Sequence, residues 1–230
     1  MSPSVRAALA FVISFTVAAC GGERPEPEDG ATLELAPWSR LAESRGAQPG
    51  RGVVVIGVRG RDAEGARHAT RATRAYDDVV VVLARGVATP FRASTHPWEQ
   101  RSASVPDVDR DGRRDIGMIR PGVYRAVLRE ASRNIGGAPT FHLLPASGAG
   151  ERIPAWRNTN QDEEYSSAER AASEARGDYQ TAILFHQGED APPAVGCQVL
   201  PADQMRAFAA LVGPEFQYVL VDDADDVPLL

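Results

Sequence analysis

Short runs of β-branched and other apolar residues recur along the chain and predict a β-rich domain. The two clearest runs, residues 53–58 and 79–83, consist mostly of Val, Ile and Leu and are bounded by charged or glycine-containing segments. Runs of this length and composition are typical of largely buried strands. Further strands are predicted at residues 87–94, 122–128, 139–144, 181–186 and 216–221.

Two segments have helical patterns. Residues 167–176 are rich in Ala and Glu, and residues 202–212 place four apolar side chains, from Met205 to Val212, on one helical face. No internal repeat at solenoid spacing is evident. The sequence therefore predicts a mainly β fold, either a β-sandwich or a barrel-like sheet, with two short helices.

Residues 1–19 have the layout of a signal peptide. Arg6 is followed by a run of about thirteen small and apolar residues, which is too short to cross a hydrocarbon core of roughly 30 Å. The segment ends in Val-Ala-Ala-Cys-Gly at residues 17–21, which resembles the lipobox of bacterial lipoproteins. The resemblance implies cleavage before Cys20, lipidation of Cys20 and attachment to a membrane through the lipid chains. An ordinary signal peptide with an incidental cysteine is the alternative.

The residues after Cys20 divide into a tether and a domain. Residues 20–50 are rich in Pro, Gly, Glu and Ala with little apolar periodicity, so they predict a disordered tether. Residues 51–230 are long enough for one β-rich domain with its own core. Gly21 rather than Asp follows Cys20. In a two-membrane bacterium this resembles the pattern for the periplasmic face of the outer membrane, and the expected location is the cell envelope.

Charge limits the class of partner. Removing residues 1–19 removes Arg6 and no acidic residue, so the formal charge changes from -6 to -7. A net negative charge argues against a nucleic-acid-binding surface or an anionic-membrane-binding surface. The sequence therefore predicts no nucleic-acid partner and membrane attachment only through the lipid anchor.

Residues 107–118 have the spacing of a calcium-binding loop. Four Asp side chains occupy loop positions one, three, five and nine: Asp107, Asp109, Asp111 and Asp115. Gly112 at position six permits the sharp turn that lets roughly six to eight oxygens surround Ca²⁺. Met118 stands at position twelve, where an EF-hand has Glu, so another donor is needed. The sequence predicts a Ca²⁺ site here, and a solvated acidic turn is the alternative.

Residues 158–169 have a second, less regular pattern of this kind. The predicted ligands are Asn158, Asn160, Asp162 and Glu169, with Glu169 at position twelve. Glu163 replaces the turn glycine, which strains a left-handed backbone by about 1 kcal/mol. The alternative is a polar loop that caps a helix beginning near Ser167, with Ser166 or Ser167 as the N-cap.

Apart from Cys20, the chain has one cysteine, Cys197, which has no partner for an intramolecular disulfide. His186 lies at the end of a predicted strand, and Gly196 and Cys197 open another short strand before a helix. On two adjacent antiparallel strands, His186 can accept the thiol proton of Cys197. The small Gly196 then lets a substrate carbonyl approach backbone N–H groups. A buried cysteine that acts as a small apolar residue is the alternative.

Residues 182–203 resemble the His-x-Gly and Gly-Cys signature of the YkuD-type L,D-transpeptidases, in a branch with short spacing between His and Cys. The weaker resemblance over residues 116–221 includes Ile-Arg-Pro-Gly-Val-Tyr at residues 119–124. It implies an L,D-transpeptidase-like fold in which Cys197 is acylated by a peptidoglycan stem peptide and His186 assists. The chain lacks the Ser-His before this Gly-Cys and the Arg after it that the family usually has.

Three functions remain open from the sequence. The first is an envelope acyltransferase acting on peptidoglycan stem peptides, with bound Ca²⁺ shaping loops beside the thiol. The second is a noncatalytic, calcium-dependent lipoprotein that binds the cell wall. The third is a Cys peptidase or amidase on the same fold, with water as the acceptor.

Overall fold

The computed structural model describes residues 32–69, 74–98, 105–190, 192, 195–224 and 226–230. The predicted signal peptide, Cys20 and the first part of the predicted tether lie outside these ranges. Among the helices of the described residues, none has the length and apolar character needed to span a membrane.

Eleven strands form two sheets. In chain order they are β1 (Val54–Arg59), β2 (Asp78–Ala84), β3 (Val87–Ala93), β4 (Gly117–Ile119), β5 (Gly122–Leu128), β6 (Phe141–Pro145), β7 (Ile153–Arg157), β8 (Tyr179–Gln180), β9 (Leu184–Gly188), β10 (Gln198–Pro201) and β11 (Glu215–Asp222). The large sheet has the order β10-β9-β6-β5-β11-β1-β2-β3, and the small sheet has the order β4-β7-β8.

The large sheet nearly closes into a barrel. Two neighbouring pairs, β1 with β11 and β9 with β10, are parallel, and the other neighbours are antiparallel. Ser94, directly after β3, exchanges two backbone hydrogen bonds of 2.8 and 3.0 Å with Val199 of β10. These bonds join the two edge strands and leave little open edge. The predicted mainly β, barrel-like fold is confirmed.

Three helices accompany the sheets: α1 (Leu35–Ser44), α2 (Ser167–Arg176) and α3 (Ala202–Val212). The last two have the predicted bounds, and α1 was not predicted. Each predicted strand is present with bounds that differ by a few residues. The strands β4, β7 and β8 are short and contain Gly117, Pro154 and Gln180, so their composition gives no clear strand pattern.

The barrel interior is filled by aromatic rings. Phe208 of α3 is central among them: it meets the rings of Phe91, Phe141 and Phe216 edge-on and stacks on Phe185 with ring centroids 5.7 Å apart. Each buried ring removes on the order of 150–250 Å² from water, so rings of this kind dominate the energetics of a core. Through Phe208, α3 is fixed to the barrel.

The helix α1 covers the outer side of the barrel at β2 and β3. Its buried residues Trp38, Leu41 and Ala42 follow helical spacing and belong to a second apolar cluster with alternate residues of β1 and β2. The sequence predicts a tether as far as residue 50, but residues 33–50 belong to the folded domain. The apolar face of α1 is short, and the Pro, Gly and Glu residues on either side of it dominate the composition of the segment. Composition therefore does not indicate this helix.

A buried carboxylate stabilises one end of the barrel. Asp78 of β2 accepts the backbone N–H groups of Gly60 and Thr95, both at 2.8 Å, and the Thr95 hydroxyl at 2.7 Å. His68 lies 3.5 Å from the same carboxylate. Burial alone raises the pKa of Asp78, but these bonds lower it overall, and the bond with Asp78 raises the pKa of His68 to about 9.

We predict that the domain loses stability between about pH 6.5 and pH 9. The pKa of His68 is about 9 in the folded protein and 6.5 in an ordinary histidine. Its contribution is therefore fully present below about pH 6.5 and is lost as the pH rises through 9. Denaturant unfolding should show that the free energy of unfolding decreases by roughly 1–2 kcal/mol over this pH range, a value that allows for screening of the ion pair by solvent. His68→Gln should remove most of this decrease, and the same pH dependence in both proteins would contradict the ion pair.

Candidate functional site

The acidic loop, residues 107–115, precedes β4 and brings three carboxylates together. Ligand oxygens of Asp107, Asp109 and Asp111 lie within 4.8 Å of one another. Carboxylates this close repel one another unless a cation lies among them or some are protonated. The loop therefore provides three of the roughly six to eight oxygens that Ca²⁺ takes.

Backbone N–H groups of the acidic loop orient these carboxylates. Asp107 accepts the N–H of Arg110 at 2.6 Å and that of Gly112 at 2.9 Å. Asp109 accepts the N–H of Asp111 at 3.1 Å. Gly112 has a φ of +88°, in the left-handed region that favours glycine. Side chains held in this way need little reorganisation to bind an ion.

Asp115, the last residue of the acidic loop, has a fully buried side chain. Its Oδ2 accepts the N–H of Val108 at 2.6 Å, whereas its Oδ1 has no hydrogen-bond partner. Burial and the negative charges of Asp109 and Asp107 raise the pKa of Asp115. A buried ionised carboxylate oxygen without a partner is costly. Asp115 does not belong to the group of oxygens within 4.8 Å of one another that Asp107, Asp109 and Asp111 form.

Two features limit the ligand set. Met118 at position twelve is buried against Trp156 and Tyr165, so this position supplies no oxygen from its side chain. Arg113 pairs with Asp111 at 2.7 Å and lowers the pKa of Asp111. An ion in the acidic loop therefore competes with Arg113 for Asp111 and needs backbone carbonyls or water as further ligands.

The second predicted calcium loop, residues 158–169, uses its carboxylate for another purpose. One oxygen of Glu169 accepts the N–H groups of Thr159 at 2.8 Å and Asn160 at 3.2 Å. The other accepts the N–H of Ser166 at 3.0 Å, and Ser166 Oγ accepts the N–H of Glu169. This is a capping box at the start of α2, with Ser166 as the N-cap. The alternative interpretation of a capping loop therefore describes Glu169 better than a bidentate metal ligand does.

The other predicted ligands of the second loop are Asn158, Asn160 and Asp162. Asn160 Nδ2 donates to Asp162 at 2.8 Å, and Asn158 is buried in the same segment. Glu163 has a φ of +66°, the left-handed conformation expected for it from the sequence. In the described ranges, groups of three His, Cys, Asp or Glu side chains whose ligand atoms lie within 4.8 Å of one another occur at the acidic loop and around His68. The bond with Asp78 raises the pKa of His68 to about 9, so a metal ion at His68 competes with a bound proton.

The predicted thiol site lies on β9 and β10, which are neighbours as expected but parallel rather than antiparallel. His186 lies opposite Val199 in this register, so Cys197 lies two residues further back, beside Leu184. Within the described part of the chain, no hydrogen bond joins the imidazole to the thiol; the ring Nδ1 of His186 instead donates to the Gln187 carbonyl at 2.7 Å.

Burial shifts both groups toward their neutral forms. It raises the pKa of the Cys197 thiol although this residue is only half-buried, and the Leu184 backbone and the charge of Arg129 offset the increase only in part. Burial also lowers the pKa of His186. The sequence predicts that His186 accepts the thiol proton, which requires a lowered pKa of Cys197, so the direction found at Cys197 is opposite to the expected one. A neutral thiol is a weak nucleophile.

Gly196 has a packing role in the structure. Its φ is +108°, and a side chain there would collide with the Gln180 side chain and approach the Gly117 carbonyl at 3.0 Å. Gln180 donates to that same carbonyl at 2.7 Å. The space that the sequence analysis assigns to a substrate carbonyl beside Gly196 is therefore occupied on this side by Gln180.

A cavity of about 510 Å³ beside the acidic loop was not predicted. It is lined by Val105, Pro106, Val108, Arg157, Arg176, Gly177, Asp178, Tyr179, Gln180, Thr181, Ala182 and Val195. These residues come from separate parts of the chain, so no local motif indicates the cavity. The one sequence signal is Arg157, a charged residue that ends the largely apolar strand β7.

No known protein family matches the sequence, and no curated protein or solved structure is significantly similar to it.

Proposed function

We propose that this protein is a calcium-dependent binding module of the cell envelope, attached to a membrane through the lipid on Cys20 and directed at peptidoglycan or its stem peptides. The observation that carries the proposal is the buried, unpartnered Oδ1 of Asp115 beside three converging carboxylates. A Ca²⁺ ion in the acidic loop gives this oxygen a partner and removes the repulsion among the carboxylates.

The position of the acidic loop supports a structural role for the ion. Asp115 donates its backbone N–H to the Pro106 carbonyl at 2.9 Å and accepts Arg157 Nη1 on its own carbonyl at 3.2 Å. The next residues along the chain lead into β4. Calcium held by Asp107, Asp109, Asp111 and Asp115 therefore fixes the loop against the small sheet. No chemical step is required of the ion.

Removal of calcium is expected to lower the thermal midpoint. At a concentration of about 100 times Kd, an ion that binds only the folded state adds about 2.7 kcal/mol, or roughly 5–10 °C for a domain of this size. Scanning calorimetry in Ca²⁺ and in EGTA measures the difference. Asp109→Ala should abolish it, because a converging oxygen is lost.

Asp162→Ala in the second loop is the matched control and should keep the full calcium-dependent difference. Equal midpoints in Ca²⁺ and EGTA for the unsubstituted protein would refute calcium binding. A difference that survives Asp109→Ala and disappears in Asp162→Ala would move the site to residues 158–169.

The reactivity of Cys197 separates this proposal from the acyl-transfer function that the sequence predicts. Because burial raises the thiol pKa, iodoacetamide should label Cys197 slowly in the folded protein and much faster in denaturant. Cys20→Ser leaves Cys197 as the only thiol for this measurement. His186→Ala should not change the rate.

Rapid labelling at mildly acidic pH that is slowed by His186→Ala would instead favour an L,D-transpeptidase-like acyltransferase or a Cys peptidase. Intact mass after incubation with purified muropeptides then provides the second readout. A stable acyl adduct that is absent in Cys197→Ala would establish covalent chemistry at this residue.

A further inference from the structure

The cavity beside the acidic loop has two kinds of wall. One part is apolar and includes Val105, Val108 and Val195. The other part is polar. It consists of the guanidinium groups of Arg157 and Arg176 and the carboxylate and amide side chains of the segment after α2. A cavity of this size with few charged groups and apolar walls is typical of a site for a small ligand or the end of a chain.

Arg157 is a buried cation without a counter-ion in direct contact. It is 5% exposed, and its Nη1 and Nη2 donate only to the backbone carbonyls of Asp115 and Tyr179. Its Nε has no partner, and no carboxylate of the described residues forms an ion pair with it. Asp178 and Asp115 attract it only from beyond ion-pair distance. A buried charge in this state is stabilised by an anion brought into the cavity.

The remaining charged groups of the cavity lining cancel each other. Arg176 donates from Nη2 at 2.7 Å and from Nε at 3.1 Å to Asp178, which forms a paired, neutral unit. Arg157 therefore gives the lining a net charge of about one positive unit. This charge matches a singly charged carboxylate better than a doubly charged phosphate.

Asp115 connects the cavity to the acidic loop. Its carbonyl accepts a hydrogen bond from Arg157, and its carboxylate lies against the loop that holds Asp107 and Asp109. Without a cation, the negative potential of these carboxylates opposes the positive potential of Arg157. A bound Ca²⁺ neutralises two negative charges of the loop. The potential in the cavity then becomes more positive, which favours binding of an anion.

We propose that this cavity binds a ligand with one carboxylate and a short apolar group, such as the end of a peptide, and that calcium in the acidic loop strengthens the binding. The inference rests on the proposed function, since it names the ligand chemistry that the calcium-dependent module recognises. A guanidinium group binds the planar carboxylate, and the valine side chains contact the apolar group.

Titration of the isotopically labelled protein followed by NMR tests the inference, with N-acetylalanine as the probe. In Ca²⁺ we expect saturable chemical-shift changes that are confined to residues around the cavity. In EGTA we expect a Kd that is about fivefold to tenfold larger. N-acetylalaninamide lacks the negative charge of the carboxylate, and inorganic phosphate has a larger negative charge. Neither compound should bind in the cavity. Equal binding of the amide, or tighter binding of phosphate, would overturn the carboxylate assignment.

Two substitutions should change the affinity in opposite directions. Arg157→Gln removes the unpaired cation and should abolish binding. Asp178→Asn removes the anion paired with Arg176, so binding should become severalfold tighter. Arg206→Gln, an exposed charge on α3, is the matched control and should have no effect. If Arg157→Gln does not fold, Asp178→Asn still decides, because unchanged or weaker binding in that variant contradicts the proposal.

Calcium binding measured by calorimetry on the same sample distinguishes the two proposals. Calcium binding without any N-acetylalanine shift at the cavity would overturn the ligand inference and leave the calcium module intact. An N-acetylalanine affinity that is the same in Ca²⁺ and EGTA would overturn the coupling. The absence of calcium binding would overturn the proposed function itself and the calcium dependence with it.

Discussion

Each ionised group that this fold buries needs a partner, because an unpaired charge inside a protein costs several kcal/mol. At one end of the barrel the chain supplies the partners. Arg59, fully buried, pairs with Asp222 at 3.0 Å and donates to the carbonyls of Thr95 and Ile119. Asp78 receives hydrogen bonds from backbone and side chain. In the part next to the small sheet, Asp115 has a carboxylate oxygen without a partner. Arg157 donates to backbone carbonyls and, unlike Arg59, has no carboxylate in direct contact, and both proposals arise from these two residues.

The barrel and the small sheet have different roles in the fold. Aromatic rings inside the barrel and the apolar cluster under α1 provide most of the buried area, so the barrel supplies the stability. The small sheet has only a small core of its own around Met118 and is held to the barrel in part by the bond from Arg59 to the Ile119 carbonyl. The acidic loop and the cavity lie on this smaller part. Ile119 of β4 and Ile153 of β7 also belong to the main apolar cluster of the barrel, so a cation in the acidic loop acts next to this junction.

The sequence predicts the large elements because their signals are local. Runs of Val and Ile mark β1 and β2, and the Ser166–Glu169 capping box with Gly177 in the left-handed conformation explains why α2 has its predicted bounds. Three features were not predicted correctly. The packing of α1 and the cavity around Arg157 depend on contacts between distant segments. The strands β9 and β10 are close in the sequence, and their residue patterns do not distinguish parallel from antiparallel pairing. Three of the four predicted carboxylates, those of Asp107, Asp109 and Asp111, converge because their own loop holds them, whereas Asp115 is not part of this group. Glu169 has the spacing of a calcium ligand, but it caps a helix. Spacing alone does not show which N–H groups lie within hydrogen-bonding distance of a carboxylate.

The number of calcium ions bound per chain tests the central claim most directly. Equilibrium dialysis with Ca²⁺ should give one ion for the unsubstituted protein, none for Asp109→Ala and one for Asp162→Ala, because the acidic loop has converging carboxylates and the second loop has its Glu169 committed to α2. Binding of no calcium by the unsubstituted protein, or an unchanged stoichiometry in Asp109→Ala, would contradict the account.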